Sequence, residues 1–197
     1  MIRLARSALF VTVVLLAALA VRAEDAPSEF RFPWRDVATA IAIDAYQDND
    51  IDWGAMAADP RVAAVIHKAT EGRGIDSKYA ERRKTALERG YLWGSYHIGR
   101  PGDPVAQAEH YLNTATPGPN DLFALDLEAI GSDFMSVDNA RRFIEHLYKK
   151  TQRYPVLYVN HASAAELSAI AEPDSVFARC PLWLPPATRP RATVRQA

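Results

Sequence analysis

"ALDLEAI", Ala124 to Ile130, sets two carboxylates inside an apolar run. Asp126 and Glu128 alternate with Leu125 and Leu127, and a period of two residues is the period of a β-strand. Side chains at i and i+2 of a strand share a face, so the two acids point one way and the two leucines the other. The acid-bearing residues stand roughly 6–7 Å apart along the backbone. Leucines on one face call for a covering layer of helices. Acids on the other call for a polar pocket, because burying two carboxylates without partners is costly. Helix cover on one face and a polar pocket on the other describe a strand of a parallel α/β sheet curled into a barrel.

Working outward, similar apolar runs recur along the chain. "ATAIAIDAY" (38–46), "VAAVIHKAT" (62–70), "YLWGSYHIG" (91–99), "LFALDLEAI" (122–130) and "YPVLYVNH" (154–161) read as strands, and "CPLWL" (180–184) starts a sixth. Helical signals separate them. Asp103-Pro104 is an N-cap followed by proline in the first turn. Ser136 caps a stretch in which Val137, Ala140, Ile144, Leu147 and Tyr148 recur at helical spacing, and its basic end suits the helix dipole. Ser163 and Glu166 form a capping box, and "DSKYAERRKTALERG" reads as a helix stopped by Gly90. "RRK" at 82–84 reads as a solvated helix face. Strand–helix alternation with short loops predicts parallel strands joined by right-handed crossovers. No Gly-rich phosphate loop follows the first strand, which argues against a dinucleotide-binding fold. The expected class is α/β, an irregular (β/α) TIM-like barrel, incomplete at its C-terminal end, since 197 residues are few beside the ~250 of a typical eight-stranded barrel.

The ends of the chain read differently. Arg3 and Arg6, an apolar run from about Ala8 to Val21, and then small residues follow the order of a secretory signal, with cleavage after Ala23. The run is short of the ~20 apolar residues that span a bilayer, so no stable membrane insertion is expected once the signal is cleaved. Residues 24–37 read as a leader, 38–184 as the barrel domain, and 185–197, with Pro185, Pro186, Pro190 and three arginines, as an unstructured tail. The expected location is secreted or periplasmic. Cys180 is the only cysteine and forms no disulfide within the chain, so stability rests on packing. A net charge of −1 gives no support to nucleic-acid binding.

Function in a parallel barrel sits at the C-terminal ends of its strands. There the sequence places Asp44 and Tyr46, then Lys68, Thr70 and Glu71, then Tyr96 and His97, then Asp126 and Glu128, then Tyr158 and Asn160. Two carboxylates in one pocket do not ionise independently, and one keeps its proton to higher pH. Such a pair suits cleavage of a glycosidic bond: one acid protonates the leaving oxygen while the other stabilises positive charge at the anomeric carbon, or orients a substrate N-acetyl group that acts as nucleophile. Strand-end aromatics offer faces for sugars. Glu71 reads as half of a surface ion pair. Lys68 is equally a structural partner of Asp44 or Asp126 or a site residue, and His97 equally a core or a site residue. His67, His110, His146 and His161 lack metal-ligand spacing, so no metal is expected.

The same stretches resemble the family-25 glycoside hydrolases, the secreted lysozymes or muramidases of an irregular β/α barrel. "IDAYQDNDIDW" is similar to that family's first-strand motif, "VIHKATEG" to its "IKATEG", "GSYHIGRPGDPVAQAEHYL" to its "GAYHF" strand and following "DPVAQA", and "FALDLEAIG" to its "LDLE" strand. "RYPVLYVNH" resembles its fifth strand. Any one motif is weak; five in order, over about Ala40 to Trp183, are specific. The resemblance implies Glu128 as general acid, Asp126 as the residue orienting the N-acetyl group or stabilising the cation, and Asp44 as the first-strand catalytic aspartate. It implies Tyr96, Tyr158 and Asn160 as sugar contacts, peptidoglycan strands as partner and no cofactor; the strand-end positions of Tyr46 and His97 add these two to the expected sugar contacts. The chain departs from the family after "CPLW", where a further acid and a late Trp-Gln are usual; the change points to a truncation or a shifted reading frame. Two rival readings remain: a glycan-binding or degenerate family member, and a chitinase-like hydrolase of N-acetyl sugars, which also carries an Asp-x-Glu strand.

Overall fold

A computed structural model describes residues 36–128, 133–170 and 172–185. The expected signal segment 1–23, nearly all of the expected leader and the expected tail from Pro186 onward lie outside the described residues, as do Ala129 and Ile130 of the opening stretch. The compact unit begins at Ala38.

The strands are β1 (Ile41–Ala45), β2 (Val62–Glu71), β3 (Gly74–Ile75), β4 (Leu92–Ile98), β5 (Leu122–Asp126), β6 (Val156–Tyr158) and β7 (Leu182–Trp183). The helices are α1 (Trp53–Ala58), α2 (Tyr79–Glu88), α3 (Pro104–Ala115), α4 (Val137–Thr151) and α5 (His161–Ile170). One sheet runs β1-β2-β4-β5-β6-β7 with every neighbour parallel, and β3 folds back antiparallel on β2. Spatial order equals chain order, so successive crossovers step the same way round a curled sheet, a half-barrel.

Alternation divides the sheet into two faces. Val65, Trp93, Phe123, Leu125 and Leu157 are buried under the helices together with Tyr79, Tyr111, Phe143, Ile144 and Leu147. Full burial of each such side chain stabilises by about 1.5–3 kcal/mol. The leucines of the opening stretch belong here: Leu125 is fully buried and Leu127 nearly so. The Tyr111 hydroxyl donates to the Ser95 carbonyl at 3.0 Å and accepts from the Ala124 N–H at 3.3 Å, tying α3 to β4 and β5.

The expected caps of α3 and α4 are present. Asp103 Oδ1 accepts from the Val105 and Ala106 N–H groups at 2.9 and 3.3 Å, and Ser136 Oγ from Asn139 at 3.3 Å. Gly90, at φ 82°, follows α2 as a residue able to take the left-handed region.

Three expectations change. The Ser163–Glu166 capping box gives way to Asn160, whose Oδ1 accepts from the Ser163 N–H at 2.8 Å; the helix begins three residues earlier, at His161. Strand six of the sequence reading is confined to Leu182–Trp183, and the run 154–161 to Val156–Tyr158, since Pro155 brings no N–H to the ladder and Asn160 already opens α5. The "RRK" face is not uniformly solvated. Arg82 is buried, and its guanidinium donates to the Tyr46 and Asn49 carbonyls from beneath the loop after β1. The short elements α1 and β3 went unassigned from sequence, although Asp52 caps α1 by accepting from Gly54 and Ala55 at 2.9 Å each.

Candidate active site

The other face of the sheet carries the polar residues. Parallel register sets Lys68 beside Tyr96, Ile98 beside Asp126, Asp126 beside Tyr158, and Tyr158 beside Trp183. These side chains, with Asp44 and Tyr46 from the end of β1 and Glu128 just past β5, line one cavity of about 320 Å³. The cavity lies at the C-terminal ends of the strands because that is where each strand stops and its side chains meet no further backbone.

Three carboxylates share it, and their environments separate them. Burial is the first cause that raises Asp126, and the charges of Glu128 and Asp44 add to it; the carboxyl is pushed up to about 7. The Glu128 backbone N–H donates to Asp126 and opposes part of this rise. Asp126 Oδ1 is buried and has no hydrogen-bond partner. Such an oxygen costs free energy unless something arrives to pair with it. Asp44 is open to solvent through the cleft mouth, yet surrounding protein raises it to about 6, with the Glu128 charge as second cause.

The aromatics frame the carboxylates. Tyr158 hydrogen-bonds the Glu128 carboxylate; burial first, then that negative charge, raises its hydroxyl to about 12, so it stays a donor. Trp183 meets Tyr158 edge-on, with centroids 5.1 Å apart. The Tyr96 hydroxyl donates to the Ala45 carbonyl at 3.4 Å, and burial followed by the Asp44 and Asp126 charges raises it. Tyr46 is exposed at the rim, with Lys68 Nζ 5.1 Å from its ring centre. Lys68 pairs with neither Asp44 nor Asp126; its ammonium donates to Glu71 at 3.1 Å, and Glu71 also receives Arg100.

Two residues expected at the sugar lie elsewhere. His97 is fully buried on the helix face, stacked on Phe143 at 4.9 Å. Its Nε2 donates to Gln107 Oε1 at 3.1 Å, so Nδ1 accepts from the Thr70 hydroxyl at 2.7 Å, and burial depresses it to about 4. Tyr96 and His97 are neighbours on one strand, and alternation sends them to opposite faces. Asn160 spends its side-chain oxygen on capping α5 and does not line the cavity. Trp183 was missed. Its parity with Tyr158 depends on the β6–β7 register, which two short strands do not disclose in sequence. Among the described residues no group of three or more His, Cys, Asp or Glu side chains could hold a metal ion.

The sequence pattern of glycosyl hydrolases family 25 matches residues 41–187, most of the chain. The chain belongs to glycosyl hydrolase family 25. A family relative, an autolytic lysozyme of Clostridium acetobutylicum, is 34% identical over 113 residues, which cover 55% of this chain and 35% of that one; the match spans about a third of that relative's length. A muramidase from Acremonium alcalophilum has a similar fold, with a TM-score of 0.60, 24% identity, and coverage of 74% of this chain and 75% of its own. A family GH25 lysozyme from Aspergillus fumigatus gives a TM-score of 0.64 at 22% identity, covering 76% of this chain and 79% of its own.

Proposed function

We propose that this chain is a muramidase that hydrolyses the β-1,4 bond from N-acetylmuramic acid to N-acetylglucosamine in peptidoglycan, without a cofactor. The observation that carries the proposal is the buried, unpartnered Asp126 Oδ1, which shares a cavity with Glu128 and Asp44. An acetamido N–H is the donor that this acceptor lacks. Accepting it turns the N-acetyl carbonyl oxygen towards the anomeric carbon, in the substrate-assisted variant of glycoside hydrolysis.

Proton traffic follows from the same geometry. In the free protein the pair's proton rests on Asp126, raised to about 7. When the substrate N–H bonds Asp126, its ionised form is favoured and the proton passes to Glu128. Glu128 gives it to the glycosidic oxygen as that C–O bond breaks, and the acetamido oxygen bonds the anomeric carbon. Water, deprotonated by the Glu128 carboxylate, then opens the cyclic ion and restores the acetamide. Asp44 adds negative charge facing the cation. Tyr46, Tyr96, Tyr158 and Trp183 are read as sugar-facing walls.

The half-barrel is read as part of the family's irregular β/α barrel, a reading supported by the equality of spatial and chain order. Residues 1–23 are read as the export signal, 24–37 as a leader, 38–184 as the catalytic domain and 185–197 as a tail, which puts the enzyme outside the cytoplasm with its wall substrate. Among the described residues no helix is long and apolar enough to cross a membrane. Digesting purified peptidoglycan, reducing the products with borohydride and identifying the reduced sugar by mass spectrometry tests the proposal. Reduced muramic acid is expected. Reduced glucosamine, or release from chitin alone, contradicts it.

A further inference from the structure

A second cavity, of about 530 Å³, adjoins the first and shares Lys68 with it. Two turns form it, one from Gly72 to Asp76 around β3 and one from Arg100 to Asp103 after β4. Both are held in place. A Cβ on Gly72, at φ 53°, would meet Arg100 Cβ at 3.2 Å, so glycine lets the turns approach. Buried Gln107 grips the second turn with both ends of its amide: Oε1 accepts from the Arg100 N–H at 3.1 Å and Nε2 donates to the Arg100 carbonyl at 2.8 Å.

The lining holds three cations, Lys68, Arg73 and Arg100, and three carboxylates, Glu71, Asp76 and Asp103. The carboxylates are already engaged. Asp76 accepts from the Gln47 and Lys78 N–H groups at 2.9 and 3.0 Å, Asp103 caps α3, and Glu71 is shared by Lys68 and Arg100. Among the described residues Arg73 makes no ion pair, and it is exposed. Ile75, 61% exposed, gives the cavity an apolar wall. One unpaired guanidinium, that of Arg73, beside an aliphatic surface suits a short peptide bearing carboxylates. The muramyl sugar is the one that carries such a peptide, through its lactyl ether.

We propose that this second cavity receives the acidic peptide borne by the muramyl sugar, with Arg73 as a specificity residue that binds a peptide carboxylate; the sugar's identity rests on the muramidase reading. The test compares strands with intact peptides against strands stripped by an amidase, for wild type and Arg73→Glu. Wild type is expected to favour peptide-bearing strands about tenfold in kcat/KM, and Arg73→Glu to bring the ratio to about one, chiefly through KM, as loss of a charge-assisted contact predicts. An unchanged thermal midpoint checks that the exposed turn tolerates the change. A wild-type ratio near one, or a ratio that Arg73→Glu leaves intact, overturns the proposal. If neither substrate is cut, the muramidase reading has failed, and calorimetry with free muramyl peptide decides. Binding by wild type that Arg73→Glu loses supports the cavity assignment; no binding, or equal binding of inorganic phosphate alone, overturns it.

Discussion

Asp126 combines two demanding conditions in one side chain: a carboxyl raised to about 7 and a buried oxygen without a partner. The first has a consequence for folding. The usual value is 3.8, so between about pH 4 and pH 7 the native state binds the proton that the unfolded state releases. This contribution is fully present below about pH 4 and is lost as pH rises through about 7. The Asp126→Asn protein is therefore expected to show a flatter dependence of thermal midpoint on pH across that window. Equal slopes for the two proteins would remove the raised carboxyl from the account. Turnover should likewise fall as pH rises past about 7, because the proton shared by Asp126 and Glu128 is then gone. A rate that stays level to pH 9 contradicts this. Among individual residues, the two acids of "ALDLEAI" were legible because alternation alone assigns faces. The same rule, applied to adjacent Tyr96 and His97, separates them, and only Tyr96 faces the cleft.

Elements were legible where capping chemistry and periodicity agree. Asp103-Pro104 and Ser136 open α3 and α4 as their side chains predict. The misassigned features share a cause: they depend on contacts distant in sequence. Arg82 sits in a basic triplet that looks solvated, yet it reaches 36 residues back in the chain to the Tyr46 carbonyl. Removing it leaves carbonyls of the loop after β1 without their donor. Arg82→Ala is expected to cost about 1–3 kcal/mol, measured as a lower denaturant midpoint. A change below a few tenths of a kcal/mol contradicts the assigned role. On α4, Phe143 packs against His97 and Tyr111, and Phe143→Ala is expected to cost about 3–5 kcal/mol. An intact denaturant midpoint would show that this helix does not anchor the sheet.

Across the whole molecule, six parallel strands in chain order bring residues more than a hundred positions apart, Asp44 and Trp183 among them, to one cavity. The order of strands was legible from the alternation of elements, since short right-handed crossovers leave few other arrangements. The final register was not, and with it went Trp183. Trp183→Ala is expected to raise KM by about five- to tenfold with little change in thermal midpoint, because the ring is partly exposed and meets Tyr158 edge-on at the cleft. A loss confined to kcat would place it in the chemistry instead.

The most direct test of the central claim is the release of muramic reducing ends from peptidoglycan by wild type and by Glu128→Gln, with matched thermal midpoints. Wild-type release and a drop of about 10²–10⁴-fold in kcat for Glu128→Gln are the result that proton donation by Glu128 predicts. Undiminished release by a folded Glu128→Gln protein would contradict it.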